Sequence, residues 1–214
     1  MFLTYLLKYI IAFFVLFPLV LQGQNRLQRI EKEIDSFTIF IDNNPDKAHH
    51  HIKNAYQQSV AIGNDSLIAR SLCNLAYYDY LKRDYTSARA HYSKAITYSR
   101  QIKYFKILAY SYSQLGMMAS DEDHFDQALR YYLASLKYAD ACKLADIKSK
   151  TLINLGNLYL LQKDTLKSLE YYEQNIVNAK EHGLNELLGQ GYITLAMMQI
   201  PVILTTQFQF KVTT

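Results

Sequence analysis

With 214 residues, apolar side chains at 50%, and only 7 Gly and 3 Pro, the chain has ample material for a core and few places to turn, which favours helix. Its formal charge of +4 is small beside 23 basic and 19 acidic residues, and neither sign forms a block longer than three. That balance lacks the basic footprint of a nucleic-acid binder and excludes that class of partner.

Residues 1–23 stand apart. Met1 to Leu21 carries one charge, Lys8, followed by the apolar run Ile10 to Val20 and the polar stretch Leu21-Gln22-Gly23-Gln24. A short basic start, an apolar core and a polar end is the layout of a secretory signal. Phe2 to Leu21 is also nearly long enough to span a bilayer as an uncleaved anchor if Lys8 snorkels, and Pro18 favours the cleaved signal. Either reading puts the rest of the chain outside the cytoplasm, periplasmic or secreted, with membrane contact only through this segment.

From there a pattern recurs at a 40-residue step. Asn74-Leu75-Ala76 returns as Gln114-Leu115-Gly116, as Asn154-Leu155-Gly156 and, more faintly, as Thr194-Leu195-Ala196. Ala88 with Tyr92 returns as Ala128 with Tyr132 and as Ser168 with Tyr172. A fixed period of this size predicts stacked helical units, here about 26–63, 64–103, 104–143, 144–183 and a partial 184–200, within an array over 24–200.

Each unit reads as two helices. In the clearest, Leu152, Leu155, Gly156 and Tyr159 lie along one stripe of the first helix; Asp164 caps the second, whose inner side would carry Leu166, Leu169, Tyr172 and Ile176. Asp84 and Asn44 with Pro45 are further start signals, and Gly63 and Gly183 are stop signals in the left-handed position. Gly116 and Gly156 fall inside helices, where glycine costs about 1 kcal/mol against alanine, so they predict close helix contact. Cys73 and Cys142 fall at different phases of the repeat and read as small buried apolar residues rather than a disulfide.

Leu155-Gly156-Asn157-Leu158-Tyr159 followed by the Ala88-to-Tyr92 pattern resembles the tetratricopeptide repeat, over about Arg26 to Gln199. The resemblance implies an all-α, right-handed superhelical solenoid of helix hairpins, without catalytic activity or cofactor. The usual closing proline is replaced by Arg100, Asp140 and Lys180, so the unit is similar to the longer-armed form found in bacterial quorum-peptide receptors and some cargo-binding adaptors.

The same resemblance places a protein or peptide ligand in a concave groove lined by the first helices. Its contacts would be Asn74, Gln114 and Asn154 just before the Leu-Gly pair, and Tyr77, Met117 and Asn157 just after it. A primary amide holds a peptide C=O and N–H together, and helices about 10 Å apart would present one to every third residue of a strand rising about 3.3 Å each. Tyr77, Tyr80 and Tyr110 are candidate apolar walls. The other reading is that the amides tie one helix to the next. A chaperone-tail clamp is not expected: Cys73 and Tyr77 replace its first Lys and Asn, Gln114 and Asn154 substitute poorly, and only Lys150 matches.

Signals for chemistry are thin. His49-His50-His51 point about 100° apart on a helix and read as a solvated face rather than a metal site. Asp121-Glu122-Asp123 reads as a capping and solubilising turn rather than a calcium loop. No phosphate loop, metalloprotease motif or nucleophile elbow occurs.

The last stretch breaks the pattern. Pro201 is expected to stop the fourth unit after one helix, leaving an irregular tail over 201–214 and an uncapped helix open to self-association. The chain thus also resembles the input region of bacterial repeat-containing sensor proteins, cut short or read out of frame before a membrane span and output domain. A structural assembly scaffold is a third reading.

Overall fold

The computed structural model describes residues 22–212, with side chains from 22 to 198, so all but the last two residues of the expected N-terminal signal or anchor lie outside the described residues. Among them every regular element is an α-helix: α1 (22–40), α2 (Pro45–Ala61), α3 (Asp65–Leu81), α4 (Tyr85–Gln101), α5 (Phe105–Asp121), α6 (Phe125–Ala141), α7 (Ala145–Leu161), α8 (Thr165–Glu181) and α9 (Asn185–Val212). This is the helix-hairpin arrangement that the tetratricopeptide resemblance implies. No described helix is both long and apolar enough to cross a membrane.

From α2 to α8 each helix has 17 residues, and the three-residue link that follows it is built the same way every time. Gly63, Arg83, Lys103, Asp123, Lys143, Lys163 and Gly183 all have positive φ, between 54° and 66°, at an unbroken 20-residue step. At each, the next residue's N–H reaches back five residues to a helix carbonyl, as from Asp164 to Tyr159 at 2.9 Å, and the positive-φ residue's own N–H reaches back three, as from Lys163 to Leu160 at 3.0 Å. These bonds close the exposed carbonyls of the finished helix, and the residue that makes the five-residue bond is also the N-cap of the next. A side chain in this conformation costs about 1 kcal/mol. Four of the five that bear one are Arg or Lys, whose charge suits the negative end of the helix dipole.

Helix starts are satisfied less uniformly. Asn44, Asn64 and Asp164 accept the N–H of the residue three further on at 3.0, 3.1 and 3.1 Å, and Asp84 does the same for Ser87 at 3.1 Å. Tyr104, His124 and Leu144 make no side-chain cap bond, so Asp121-Glu122-Asp123 ends α5 without capping α6.

The described residues divide into two compact units, one up to His91 and one from Tyr92 on. In the first, Ile30, Ile34, Phe37 and Ile41 bury against Ala48, Ile52 and Ala55 of α2 and Leu67 and Leu75 of α3. Arg70 of α3 pairs with Glu31 of α1 at 2.7 Å. In the second, α5 pairs with α6 and α7 with α8, α7 packs beside both α5 and α9, and α8 packs on α9. The rings of Tyr132 and Tyr172 are wholly buried over Gly116 and Gly156, where an added Cβ would stand 2.6 and 2.5 Å from ring carbons. Leu75, Leu115, Leu152 and Leu155 bury on the same first-helix stripes.

Four expectations need correction. The buried side of α8 is Ser168, Tyr172, Asn175, Asn178 and Ala179, while Leu166 is 80% exposed, because it lies two residues before Ser168 and so about 200° around the helix. Cys142 is exposed, since position 142 is the C-cap of α6 rather than part of a helix face. Only His50 of the histidine run is exposed: His49 stacks on Tyr78 with ring centres 4.2 Å apart, and His51 Nδ1 lies 2.6 Å from Glu33 Oε2. Finally, α9 continues through Pro201 to Val212 in place of a helix stop and an irregular tail. A proline inside a helix loses one backbone bond and bends the chain but need not end it.

Candidate binding groove

In the second unit the first helices α5, α7 and α9 lie in sequence, and the face they present away from α6 and α8 is the candidate groove. Gln114 and Asn154 occupy the same repeat position on α5 and α7, each half-buried, while Thr194 takes that position on α9 and donates its hydroxyl to the Gln190 carbonyl at 2.9 Å. The Gln114 amide oxygen is enclosed and accepts no hydrogen bond. Such a group costs about 1–3 kcal/mol, and a half-turn of the amide toward a peptide N–H would recover it.

Lys150 lies one turn before Asn154 on α7 and is exposed. It borders an open cleft of about 300 Å³ between α7 and α9, together with Asp146 and residues Leu184 to Leu187. One cation and two carboxylates, Asp146 and Glu186, leave the cleft without an anion-binding bias. Nothing in it forms a nucleophile–base pair.

The remaining predicted contacts separate. Asn157 is exposed, but its Oδ1 accepts the Tyr172 hydroxyl at 2.6 Å, so its amide is committed to the scaffold. Burial pushes the Tyr172 phenol up, which keeps that hydroxyl a donor. Tyr110 packs on Ala109, Ala139 and Ile147 and is half-buried. Met117 is half-buried beside Gly116. Asn74, Tyr77 and Tyr80 belong to the first unit: Asn74 is half-buried, Tyr77 packs on the Ile30–Leu75 core, and Tyr80 packs against Tyr85 with ring centres 5.7 Å apart. Other tyrosines likewise satisfy one another, as in the Tyr112–Tyr138 and Tyr159–Tyr171 stacks at 5.8 and 5.5 Å.

Sequence reading missed a set of polar side chains that join helices within a unit and across consecutive units. Ser135 on α6 donates to the Ala109 carbonyl of α5 at 2.8 Å and meets Thr151 Oγ1 of α7 at 3.0 Å; Thr151 reaches Ser113 Oγ at 3.3 Å. On α8, Asn178 donates to the Ala145 carbonyl at 2.9 Å and to Ser149 at 2.8 Å, and Asn175 donates to the Leu187 carbonyl of α9 at 3.1 Å. All are buried. The 40-residue register of Ser135 with Asn175 was the signal available for them. Tying helix to helix is thus done at least in part by these residues.

No protein-family model matches the chain, and no curated protein does. Among solved structures it is similar to one titled as the functional characterization of pilF of Pseudomonas aeruginosa, at 15% identity and a TM-score of 0.46, over 87% of this chain and 99% of that one.

Proposed function

We propose that the chain is a non-catalytic interaction module that holds an extended peptide or protein segment along α5, α7 and α9, with Gln114 and Asn154 gripping its backbone and Tyr110 and Met117 flanking its side chains. The observation that carries this reading is the enclosed Gln114 oxygen, which accepts no hydrogen bond. Backbone gripping of this kind tolerates many sequences, with selectivity set by the cleft beside Lys150. The leader over 1–23 would deliver the module outside the cytoplasm, where it serves either alone or as the sensing part of a membrane signalling protein.

The test is panning of a random extended-peptide library against the full chain and against a Gln114→Ala/Asn154→Ala variant. Enrichment of peptides on the wild-type chain and its loss on the variant is the expected result. Equal enrichment on both, or none on the wild type beyond that on an unrelated helical protein, contradicts the reading.

A further inference from the structure

Among the described residues, helix α9 is bare on a side that the equivalent helices α5 and α7 have covered. Tyr192 and Ala196 stand 40 residues after Leu152 and Gly156. Leu152 is 1% exposed and Gly156 lies beneath the Tyr172 ring. By contrast Tyr192 is 52% exposed, Ile193 64% and Met197 67%, and Ala196 is exposed as well. In the earlier units the second helix, 20 residues on, supplies the cover. Here residues 205–212, which stand in that register, are part of α9 itself and cannot fold back onto it.

Gly189, Tyr192, Ile193, Ala196 and Met197 fall at steps of three, one, three and one, a single stripe along α9. The stripe alternates notches and knobs. A Cβ at Gly189 would meet nothing within 4 Å, so its notch is open, and Ala196 repeats the notch seven residues on. Between and beyond them stand the aromatic and aliphatic side chains. Within this chain such a notch is filled by an aromatic ring, as Tyr172 fills that of Gly156. No charged residue occurs between Leu187 and Met198, so two identical faces can meet without bringing like charges together.

We propose that this face of α9 is the contact between two copies of the chain, paired antiparallel about a two-fold axis near Thr194. That register sets Tyr192 of one copy over Ala196 of the other, and the reverse, so each aromatic ring closes the notch that a second helix closes elsewhere in the array. The contact would cover an apolar stripe that is costly to leave in water. It shares α9 with the proposed groove but includes none of Gln114, Asn154, Tyr110 and Met117, and neither inference depends on the other.

Sedimentation velocity on the full chain over a wide concentration range tests it, with Ile193→Glu and Ile193→Lys, each alone and mixed. Position 193 is exposed, so both variants should retain the wild-type circular dichroism spectrum. The expected result is a wild-type dimer, at least tenfold weaker dimerisation for each variant alone, and recovery in the mixture, where Glu and Lys meet across the axis. A wild-type chain that is monomeric throughout overturns the proposal and leaves the face to a different protein's helix. Association that is unchanged in both variants also overturns it and assigns self-association to another surface, the apolar run of residues 10–20 included.

Discussion

Asn175 and Gly191 face each other between α8 and α9 so closely that a Cβ on Gly191 would stand 2.7 Å from Asn175 Nδ2. Forty residues earlier the same two positions hold Ser135 and Thr151, whose oxygens lie 3.0 Å apart. One interface thus places a large amide opposite no side chain, and its predecessor places two mid-sized hydroxyl residues opposite each other. The pair should therefore behave as a unit. Gly191→Thr alone is expected to lower stability by about 2 kcal/mol through overpacking, and Asn175→Ser alone by about 1 kcal/mol through lost contacts. The double variant should recover at least about 1 kcal/mol relative to their sum, as residues in direct contact do. Urea melts of the four proteins supply the cycle, and strict additivity would show that the two positions do not share one space.

The aromatic seat at Gly156 gives a second prediction. Alanine gains about 1 kcal/mol of helix propensity over glycine, yet its Cβ would stand 2.5 Å from the buried Tyr172 ring. Overpacking of about 1–3 kcal/mol should outweigh the gain, so Gly156→Ala is expected to lower the melting temperature and Gly156→Leu to unfold the second unit. A melting temperature unchanged in Gly156→Leu would refute the contact.

The helix-ending residues give a third. Lys163 holds a φ of 61° and Asp123 one of 60°. Lys163→Gly relieves the conformation but loses a favourable end charge, so its gain should be small, about 0.5 kcal/mol. Asp123→Gly relieves the conformation and also removes a carboxylate from the negative end of α5, next to Asp121 and Glu122. Partial burial and Glu122 already push the Asp121 carboxyl up. Asp123→Gly should therefore stabilise more, by about 1–1.5 kcal/mol. Thermal melts that rank the two variants the other way would contradict the dipole argument.

The cap at Asp84 gives a pH dependence. Hydrogen bonds from Ser87 hold its carboxyl below the usual carboxylate range. A lowered folded-state value means that the cap contributes fully above the ordinary carboxylate pKa of about 4 and is lost as pH falls through the depressed value. Asp84→Asn retains an accepting oxygen without the titration. Melting temperatures of the wild type should fall faster than those of Asp84→Asn on acidification below about pH 4, and parallel curves would show that the Asp84 cap does not titrate with folding.

Much of this architecture was legible because it is written in backbone chemistry. The 40-residue step, the Asn44, Asp84 and Asp164 caps and the turn glycines all require particular residue types, and the interior Gly116 and Gly156 admit only a small one. Asn64 follows the same capping logic on the 20-residue step. The inner side of α8 was not legible from hydropathy, because Ser168, Asn175 and Asn178 are buried by hydrogen bonds to neighbouring backbone while Leu166 faces solvent. For the groove, sequence could place Gln114 and Asn154 in register. It could not show that Asn157, three residues beyond Asn154, is taken by Tyr172, since that bond depends on how closely the ring sits on Gly156.

The central claim, that the α5–α7 face grips a peptide through Gln114 and Asn154, is tested most directly by calorimetric titration of a panned peptide into three proteins: wild type, Asn154→Ala, and Leu166→Ala. The last change lies on an exposed part of α8 outside the groove. The account predicts about tenfold weaker binding for Asn154→Ala, a loss of about 1.4 kcal/mol, with a melt within about 1 kcal/mol of wild type, and no change in binding for Leu166→Ala. Equal affinity for all three would contradict it, as would a larger loss at Leu166 than at Asn154.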